Sequence, residues 1–391
     1  MSEKRRLKVY LVTGEPSGDL LACRLMRAMK AQGNVDFYGV GGEGMQAEGL
    51  QTLYPISDLA VMGIFEVIPH LPKILGRIRQ TLDDIEEKKP DIVVTVDSWS
   101  FSKQIHLGLI KRKVKIPHIH YVAPQVWAWK SKRADQIKKW VDHLLMLLPF
   151  EKKFFEKKGV SFTYVGHPVT EGGADKGNAK RFITMHNLSQ KDFIMTILPG
   201  SRKTEIKYLL PIFEQVVNQM AEKHKNLRVV LPTVETVKDK IKPIVSKWKV
   251  PVMIVTGELA RYDAFAASDL ALAASGTVSL ELAMAGVPHV IVYKMNWLTG
   301  KLAKPVLKRK IRFVNLINIL ADKEIIPECL QDDCNLDKIM LQLEKVTGEN
   351  GKKQVAQAQK IMQQLGAGQA LTPSQKAAIV VQDIIKKSKK R

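Results

Sequence analysis

Short apolar runs alternate with amphipathic helical patterns along almost the whole chain, and this alternation constrains the fold more than any other feature. Such an order is typical of βαβ units, in which helices cover both faces of a parallel sheet. The sequence therefore predicts an α/β fold with two doubly wound, Rossmann-like domains. The candidate strands are LKVYLVT, VDFYGV, DIVVTVD, PHIHYV, HLLMLLP and FTYVG in the first half and DFIMTIL, LRVVLP, VPVMIVT, DLALAA and PHVIVY in the second.

A chain of 391 residues exceeds the usual size of one hydrophobic core. The segment GHPVTEGGADKGNAK, residues 166–180, is rich in glycine and polar residues and is the best candidate linker. We therefore predict domains over residues 1–168 and 169–365, followed by a C-terminal helix and basic tail over 366–391. Ligands of such sheets bind at the carboxyl ends of the strands, and we expect a crevice with room for two substrates.

The formal net charge of +22 favours polyanionic partners, meaning nucleic acid or an anionic membrane surface. No helix-turn-helix, RRM or zinc-finger pattern supports the first of these. The three cysteines follow no metal-binding spacing and indicate a reducing compartment. The apolar segment near the N-terminus is too short for a signal sequence, and no run approaches a membrane span, so we expect a cytoplasmic protein.

The segment AASGTVSLELAMAG places Ser275, Gly276 and Thr277 between an apolar strand and a helix. The first N–H groups of a helix attract anions, and phosphate is the natural candidate. Glu281 lies four residues after Thr277 on the same helix face, where a carboxylate is suited to bind a ribose diol. The alternative is an ordinary strand-to-helix turn with a solvated glutamate.

The segment ILPGSRKTEI follows the first strand of the second half. Gly200 allows a close approach of the backbone to a ligand, together with Ser201, and Arg202 offers two parallel donors to a pyrophosphate. Alone, Arg202 is equally well explained as a surface cation. In combination with the segment from Ser275 to Glu281, a diphosphate clamp becomes the better interpretation.

The segment VTGEPSGD follows the first strand and matches neither the P-loop nor the dinucleotide-binding pattern. The carboxylates of Glu15 and Asp19 would repel phosphate and are better suited to sugar hydroxyls. We therefore predict that Glu15, Ser17, Gly18 and Asp19 contact a substrate. A capped strand-to-helix turn is an equally good explanation.

Asp97 in VTVDSWSF ends an otherwise apolar strand. At that position partial burial raises the pKa of a carboxyl group toward values useful for a general base. The alternative is a helix N-cap, which is a common role for aspartate.

For two further segments the sequence does not decide between two roles. In YVAPQVWAWKSKR, Trp127 and Trp129 beside basic residues fit a stacking platform or an amphipathic ledge, although packing is the commoner role for such tryptophans. In RFVNLINIL, Asn318 is either a structural bracket or a substrate contact, because a buried amide needs partners. The chain has no Asp-x-Asp pair of the kind that holds a nucleotide diphosphate through a cation, so no metal is predicted.

Residues 61–82 combine basic and apolar side chains, as a segment that settles into an anionic membrane interface does. Residues 295–313 have a similar character. The alternative is a pair of helices that pack on the core. The predicted membrane or acyl-chain contacts of the first segment are Ile64, Phe65, Val67, Ile68, Leu71, Ile74 and Leu75.

The motifs together resemble the lipid-A-disaccharide synthase family over about residues 10 to 330. The segments that carry the resemblance are GEPSGD, YVAPQVWAWK, LPFEKKFFEKKGV, GHPV, LPGSRKTEI, ASGTVSLELAMAGVPHVIVYK and FVNLINIL. The resemblance implies a GT-B glycosyltransferase that joins UDP-2,3-diacylglucosamine to 2,3-diacylglucosamine 1-phosphate, forming a β-1,6-linked disaccharide and UDP. It implies no cofactor, because the UDP-sugar is a substrate.

The resemblance also assigns roles to residues. Asp97 matches the family's essential aspartate, Arg202 its motif arginine, Glu281 its ribose-binding glutamate and Asn318 an asparagine of the substrate region. Trp99 replaces the proline that usually stands two residues after the aspartate, so the turn that holds Asp97 is expected to differ.

The implied partners are the two acylated sugars and the anionic cytoplasmic face of the inner membrane, with no nucleic acid. A homodimer is one further partner that we consider. The alternatives are another GT-B enzyme that uses UDP-N-acetylglucosamine, such as an epimerase or a transferase with a different lipid acceptor, and a basic nucleic-acid-binding protein.

Overall fold

Strands form at all eleven apolar runs singled out in the sequence, and two shorter strands join them. A computed structural model describes residues 5–59, 64–126, 132–294 and 312–390, without the side chains of 64–69 and 132. The strands are β1 Leu7–Thr13, β2 Val35–Val40, β3 Gln51–Thr52, β4 Ile92–Val96, β5 His118–Tyr121, β6 His143–Met146, β7 Phe162–Tyr164, β8 Phe193–Leu198, β9 Leu227–Thr233, β10 Val252–Thr256, β11 Leu270–Ala274, β12 His289–Tyr293 and β13 Glu328–Leu330.

The helices of the described ranges connect these strands in the expected alternation. They are α1 Pro16–Lys30, α2 Glu43–Ala47, α3 Ile64–Lys88, α4 Trp99–Lys111, α5 Lys132–Ile137, α6 Lys152–Glu156, α7 Ala179–Met185, α8 Lys203–Lys223, α9 Glu235–Val245, α10 Glu258–Ala267, α11 Val278–Ala285, α12 Leu316–Ala321, α13 Leu336–Lys345, α14 Gly348–Gln364 and α15 Pro373–Ser388.

The chain divides into two compact units, one formed by Met1–Pro168 with Gln369–Arg391 and the other by Val169–Gly368. The first unit contains a sheet in the order β3-β2-β1-β4-β5-β6-β7, and the second a sheet in the order β10-β9-β8-β11-β12-β13. The strands pair in parallel. The α/β prediction with two doubly wound domains is therefore confirmed.

In the first unit, alternate residues of β1 face opposite layers of helices. Val9 and Leu11 pack with apolar residues of α1 and α15, whereas Tyr10 and Val12 pack with residues of α3 and α4. The last helix of the chain is therefore part of the core of the first unit. Its buried residues include Ala377, Ala378, Val381 and Ile385.

In the second unit, β8 is covered on both faces in the same way. Met195 and Ile197 pack with Phe213 of α8 and with residues of α9 and α13, while Ile194 packs with Phe182 of α7. Because the central strands β1, β4, β8 and β11 are buried on both faces, the polar groups that can meet a ligand are expected at the ends of these strands and in the loops that follow them.

Candidate active site

Each sheet has one point where consecutive connections leave in opposite directions. In the first unit this point lies between β1 and β4, where Thr13 pairs with Val96. In the second unit it lies between β8 and β11, where Leu198 pairs with Ala273. Ligands of open α/β sheets bind in the crevice at this point. Four of the segments singled out in the sequence begin at these two points.

Asp97 directly follows β4 and has an unusual backbone conformation. Its φ is 55° and that of Ser98 is 44°, so both residues are left-handed, which is costly for residues other than glycine. Hydrogen bonds stabilise this turn, since the Asp97 N–H donates to the Tyr121 carbonyl at 2.9 Å. The Ser102 hydroxyl donates to the Asp97 carbonyl at 2.7 Å. The turn aims the side chain past the end of the strand.

The Asp97 carboxyl group is half-buried beside the loop that follows β1. The Ser17 hydroxyl donates to its Oδ2 at 3.4 Å. Burial raises the pKa of Asp97, and hydrogen bonds from the Ser98 backbone and Ser17 partly oppose this shift. Burial and the charge of Asp97 also raise the pKa of Glu15. The structure thus brings together three of the predicted residues, Glu15, Ser17 and Asp97, in a group suited to proton transfer.

Gly18 and Asp19 have structural roles in the same loop region. A Cβ atom on Gly18 would lie 2.1 Å from Thr13 Oγ1 and 3.2 Å from the Val96 carbonyl, so only glycine lets α1 start this close to the strands. The buried Asp19 carboxylate accepts bonds of 2.8, 2.8 and 3.1 Å from the N–H groups of Gly42, Gly44 and Met45 at the start of α2. These bonds disfavour the predicted sugar contact of Asp19.

The loop after β8 has a left-handed glycine and an exposed arginine. Gly200 has a φ of 99°, and a Cβ there would collide with the Glu205 carboxylate at 2.1 Å. Glu205 accepts from the Arg202 backbone N–H at 3.3 Å and from Nη1 at 3.2 Å. The Arg202 side chain is nevertheless 67% exposed. An exposed pair of this kind is weak, so the guanidinium is available to a ligand. Ser201 is exposed beside it.

The loop after β11 leads directly into α11. Gly276 and Thr277 are exposed. Ser275 is half-buried, and its N–H donates to the Val292 carbonyl at 3.0 Å. Thr277 directly precedes the first residue of α11, but its backbone is already helical and its side chain makes no capping bond. Because Leu198 pairs with Ala273, this loop and the loop that contains Arg202 start side by side at one edge of the sheet.

Glu281 is held by a residue that the sequence did not point to. Nη2 of Arg261 donates to its Oε1 at 3.0 Å, and the Tyr262 hydroxyl donates to the same oxygen at 3.5 Å. The Arg261 guanidinium also lies over the Tyr262 ring, 5.0 Å from its centroid, which is within the roughly 6 Å of a cation–π contact. Twenty residues separate Arg261 from Glu281, and no local pattern marks such a pair.

Asn318 forms a structural bracket, which disfavours the predicted substrate contact. The side chain is fully buried. Its amide nitrogen donates to the Ile326 carbonyl at 2.7 Å and to Glu328 at 2.8 Å, and its oxygen accepts from Ile325 and Ile326 at 2.7 and 2.9 Å. These four bonds use the whole hydrogen-bonding capacity of the amide.

A network of buried hydrogen bonds connects α11 to neighbouring elements of the second unit. The Asn315 amide donates to the Ser279 hydroxyl at 2.6 Å, which in turn bonds to His289 at 2.8 Å. Gln354 of α14 bonds to the N–H and the carbonyl of His289 at 2.8 and 3.0 Å. The first turns of α11, and with them Glu281, are therefore tied to β12 and α14.

Several predicted residues lie outside what is described. Trp127 and Trp129 fall in 127–131, and most of the basic segment 295–313 falls in 295–311. The side chains of Ile64, Phe65, Val67 and Ile68 are likewise outside the described part. In the described part of α3, Leu71 is 46% and Leu75 is 56% exposed. Ile74 packs partly against the core, which argues against a lipid contact there.

Among the described residues there is no group of three or more His, Cys, Asp or Glu side chains placed to hold a metal ion. None of the helices they form is long and apolar enough to cross a membrane.

Solved structures of similar fold include UDP-N-acetylglucosamine 2-epimerases and sugar transferases. A putative UDP-N-acetylglucosamine 2-epimerase from Listeria monocytogenes aligns with a TM-score of 0.62 at 12% identity, over 99% of this chain and 98% of that one. MurG of Acinetobacter baumannii aligns with a TM-score of 0.56 at 14% identity, over 97% and 100%. At these identities the likeness establishes the fold alone, which is that of GT-B glycosyltransferases and epimerases.

Sequence relatives are more specific. The chain is 46% identical over 387 residues to a lipid-A-disaccharide synthase of Paramagnetospirillum magneticum, covering 98% of this chain and 99% of the relative. It is 42% identical over 385 residues to the synthase of Rhodospirillum centenum, covering 97% and 95%. The family model for lipid-A-disaccharide synthetase matches residues 9–380. With matches of this extent, the chain belongs to the lipid-A-disaccharide synthetase family.

Proposed function

We propose that the protein joins UDP-2,3-diacylglucosamine to 2,3-diacylglucosamine 1-phosphate, giving the β-1,6-linked disaccharide 1-phosphate of lipid A and UDP. Membership of the family supports this reaction. The single structural observation that carries the proposal is the Asp97 carboxyl group, which is half-buried at the switch point of the first sheet and has a raised pKa.

In the proposed mechanism Asp97 is the general base. It accepts the proton of the acceptor 6-hydroxyl while that oxygen bonds to the anomeric carbon of the donor. The bond from the anomeric carbon to the UDP oxygen breaks, and its electron pair leaves with UDP. Attack from the face opposite UDP inverts the anomeric centre, through a transition state of oxocarbenium character. The Ser17 hydroxyl holds the accepting carboxylate in place.

The second unit binds the nucleotide in this proposal. Arg202 and the backbone around Ser275, Gly276 and Thr277 stabilise the charge that develops on the diphosphate, and Glu281 binds the ribose diol. The exposure of Arg202 and the adjacent starts of the two loops support this assignment. Stabilisation that grows as the diphosphate leaves lowers the barrier more than it tightens substrate binding.

We further propose that the protein is peripheral on the anionic, cytoplasmic face of the inner membrane. The exposed Leu71 and Leu75 on α3 support this, since exposed apolar side chains beside cations such as Lys73 suit a lipid interface. The formal charge of +22 acts in the same direction.

The test is to incubate the purified protein with both acylated substrates in detergent and to identify the products by mass spectrometry. Formation of the disaccharide phosphate and UDP in equal amounts is expected. Conversion of UDP-N-acetylglucosamine without a lipid acceptor would instead favour an epimerase. The reaction with Asp97→Asn separates enzymatic turnover from contamination, because asparagine tolerates the left-handed backbone at this position and lacks the base.

A further inference from the structure

Trp99 is held rigidly beside the general base. It is the first residue of α4 and lies two positions after Asp97, so the two Cα atoms are at most about 7 Å apart. Its ring makes edge contacts with Trp140 and His120, with centroid distances of 5.0 and 6.2 Å. These contacts fix the plane of the indole.

Arg133 of α5 lies over this indole. The centre of its guanidinium is 4.9 Å from the Trp99 ring centroid. Burial lowers the pKa of Arg133. Within residues 5–59, 64–126, 132–294 and 312–390 no carboxylate forms an ion pair with it. Arg112, at the other end of α4, is different, since it binds Asp83 and Glu86.

An arginine that is stacked in this way, and has no carboxylate partner among the described residues, keeps its positive charge available for a ligand. The stacking occupies one face of the guanidinium and leaves the N–H groups at its edge for a ligand. Its orientation is already fixed, so binding an anion costs less side-chain entropy. Phosphate suits the planar fork well, because two parallel charge-assisted hydrogen bonds form.

We infer that Arg133, oriented by Trp99, binds the 1-phosphate of the acceptor, a phosphomonoester. The inference rests on the proposed function. In the acceptor, C1, which carries the phosphate, and C5, which carries the CH2 group of the attacking 6-hydroxyl, both flank the ring oxygen, so the two groups are close together. Asp97 and Trp99, on whose ring Arg133 lies, are likewise close, since they are two positions apart in the chain. The cation also offsets the repulsion that Asp97 and Glu15 exert on a phosphate in this region.

The experiment compares two acceptors, 2,3-diacylglucosamine 1-phosphate and the same lipid without its phosphate. For Arg133→Ala, kcat/KM and binding of the phosphorylated acceptor are expected to fall roughly 10- to 100-fold. Binding of the dephosphorylated acceptor, measured by calorimetry in detergent, should change less than about twofold. Arg133→Lys should restore only part of the loss, since a lysine cannot stack or bind in the same planar way.

Two controls test whether the effect depends on Arg133 itself and on its stacking against Trp99. Arg112→Ala removes an equal charge from the far end of α4 and should leave the preference for the phosphorylated acceptor unchanged. Trp99→Phe keeps an aromatic face and should retain most of that preference, whereas Trp99→Leu should lose it. Circular dichroism checks that each variant is folded.

The outcomes separate this inference from the proposed function. Equal effects of Arg133→Ala on both acceptors, or no effect on either, would overturn the phosphate site while disaccharide synthesis stands. Loss of binding to anionic vesicles without a change in acceptor preference would assign Arg133 to a lipid headgroup and also overturn it. Absence of disaccharide from the unaltered protein would instead refute the proposed function.

Discussion

The Ser17 hydroxyl donates a 3.4 Å hydrogen bond to Oδ2 of Asp97, and this bond joins the two loops that diverge after β1 and β4. It favours the charged form of the carboxyl group, whereas burial opposes it. The balance of these two effects decides at which pH Asp97 can accept a proton. The variants Asp97→Asn and Ser17→Ala test this balance.

Asp97→Asn keeps the size of the side chain and removes its basicity. We expect kcat to fall by roughly 10² to 10⁴, the usual contribution of a general base. The binding of UDP should stay within about twofold, since this residue belongs to the first unit and the proposed nucleotide loops to the second. Initial rates with both lipids and calorimetry with UDP measure the two effects. Activity close to that of the unaltered protein would assign the proton transfer to another group.

The acidic limb of the pH profile should report Asp97. Only the carboxylate accepts a proton, so kcat/KM falls as the pH drops through the pKa of this group. Ser17→Ala removes a hydrogen bond that lowers this pKa. The limb should therefore move to higher pH, with a smaller effect on the rate at its plateau. A limb that stays in place, or moves to lower pH, would contradict the role of Ser17.

Arg261→Ala should weaken the binding of UDP through Glu281. The arginine holds Oε1 of this carboxylate at 3.0 Å, so its removal frees the side chain proposed to bind the ribose. We expect the dissociation constant of UDP to rise about 5- to 10-fold, less than for direct loss of a charge-assisted bond to the ligand, because Arg261 acts only through Glu281. Arg181→Ala is a matched control, because Arg181 pairs with Asp263 in the same unit. Equal losses in the two variants would point to general destabilisation.

Leu75→Asp and Leu71→Asp should release the protein from vesicles that contain anionic lipid. Both side chains are exposed, so a charge there costs little folding stability but disfavours insertion. Leu341→Asp is the control, since Leu341 is 46% exposed, as is Leu71, and lies on α13 of the second unit. Co-sedimentation measures the bound fraction. Unchanged partitioning of the two α3 variants would remove the membrane surface from the proposal.

Acid should destabilise the first unit through its buried histidines. His106 and His120 both bond to the Thr95 hydroxyl at 2.8 Å, and burial lowers the pKa of His120 to about 3 and that of His106 well below its ordinary value. The unfolded chain binds protons at these residues below about pH 6.5 and the folded chain does not, so stability falls as the pH drops from 6.5 toward 3.

Each such imidazole contributes a slope of about 1.4 kcal/mol per pH unit within that window. Urea unfolding at several pH values measures the slope. In His120→Leu the slope should be smaller by about one proton. An identical slope in that variant would show that other groups control the acid transition.

The strands were predictable because apolar runs of four to seven residues have few alternatives in an α/β chain. The strands β3 and β13 were missed, since each has only two or three residues and no apolar run. Asp97 could be singled out as a candidate for the same reason as the strands, because a charged residue at the end of an apolar run is easily recognised in the sequence.

The roles of the other polar residues could not be read from local sequence. Asp19 and Asn318 look like ligand contacts, yet their partners are backbone groups and, for Asn318, also the Glu328 carboxylate, all brought near by the fold. Arg261 pairs with a residue 20 positions away and is marked by neither spacing nor composition. Arg133 ends a basic segment that composition does mark, but its contact with Trp99, 34 positions away, is not visible in the sequence. A sequence shows which side chains have chemistry to offer, whereas the fold decides whether that chemistry is already used.

Because α15 belongs to the first unit, the two units become complete in a fixed order during biosynthesis. Residues such as Ala377 and Val381 complete the core around β1, although almost the entire chain separates them from that strand. During translation the second unit has all its residues outside the ribosome before the first unit does, so the half that emerges first is finished last. Removal of α15 is therefore a lesion in the domain that contains Asp97, and the sheet of that domain stays partly uncovered until this helix has been made.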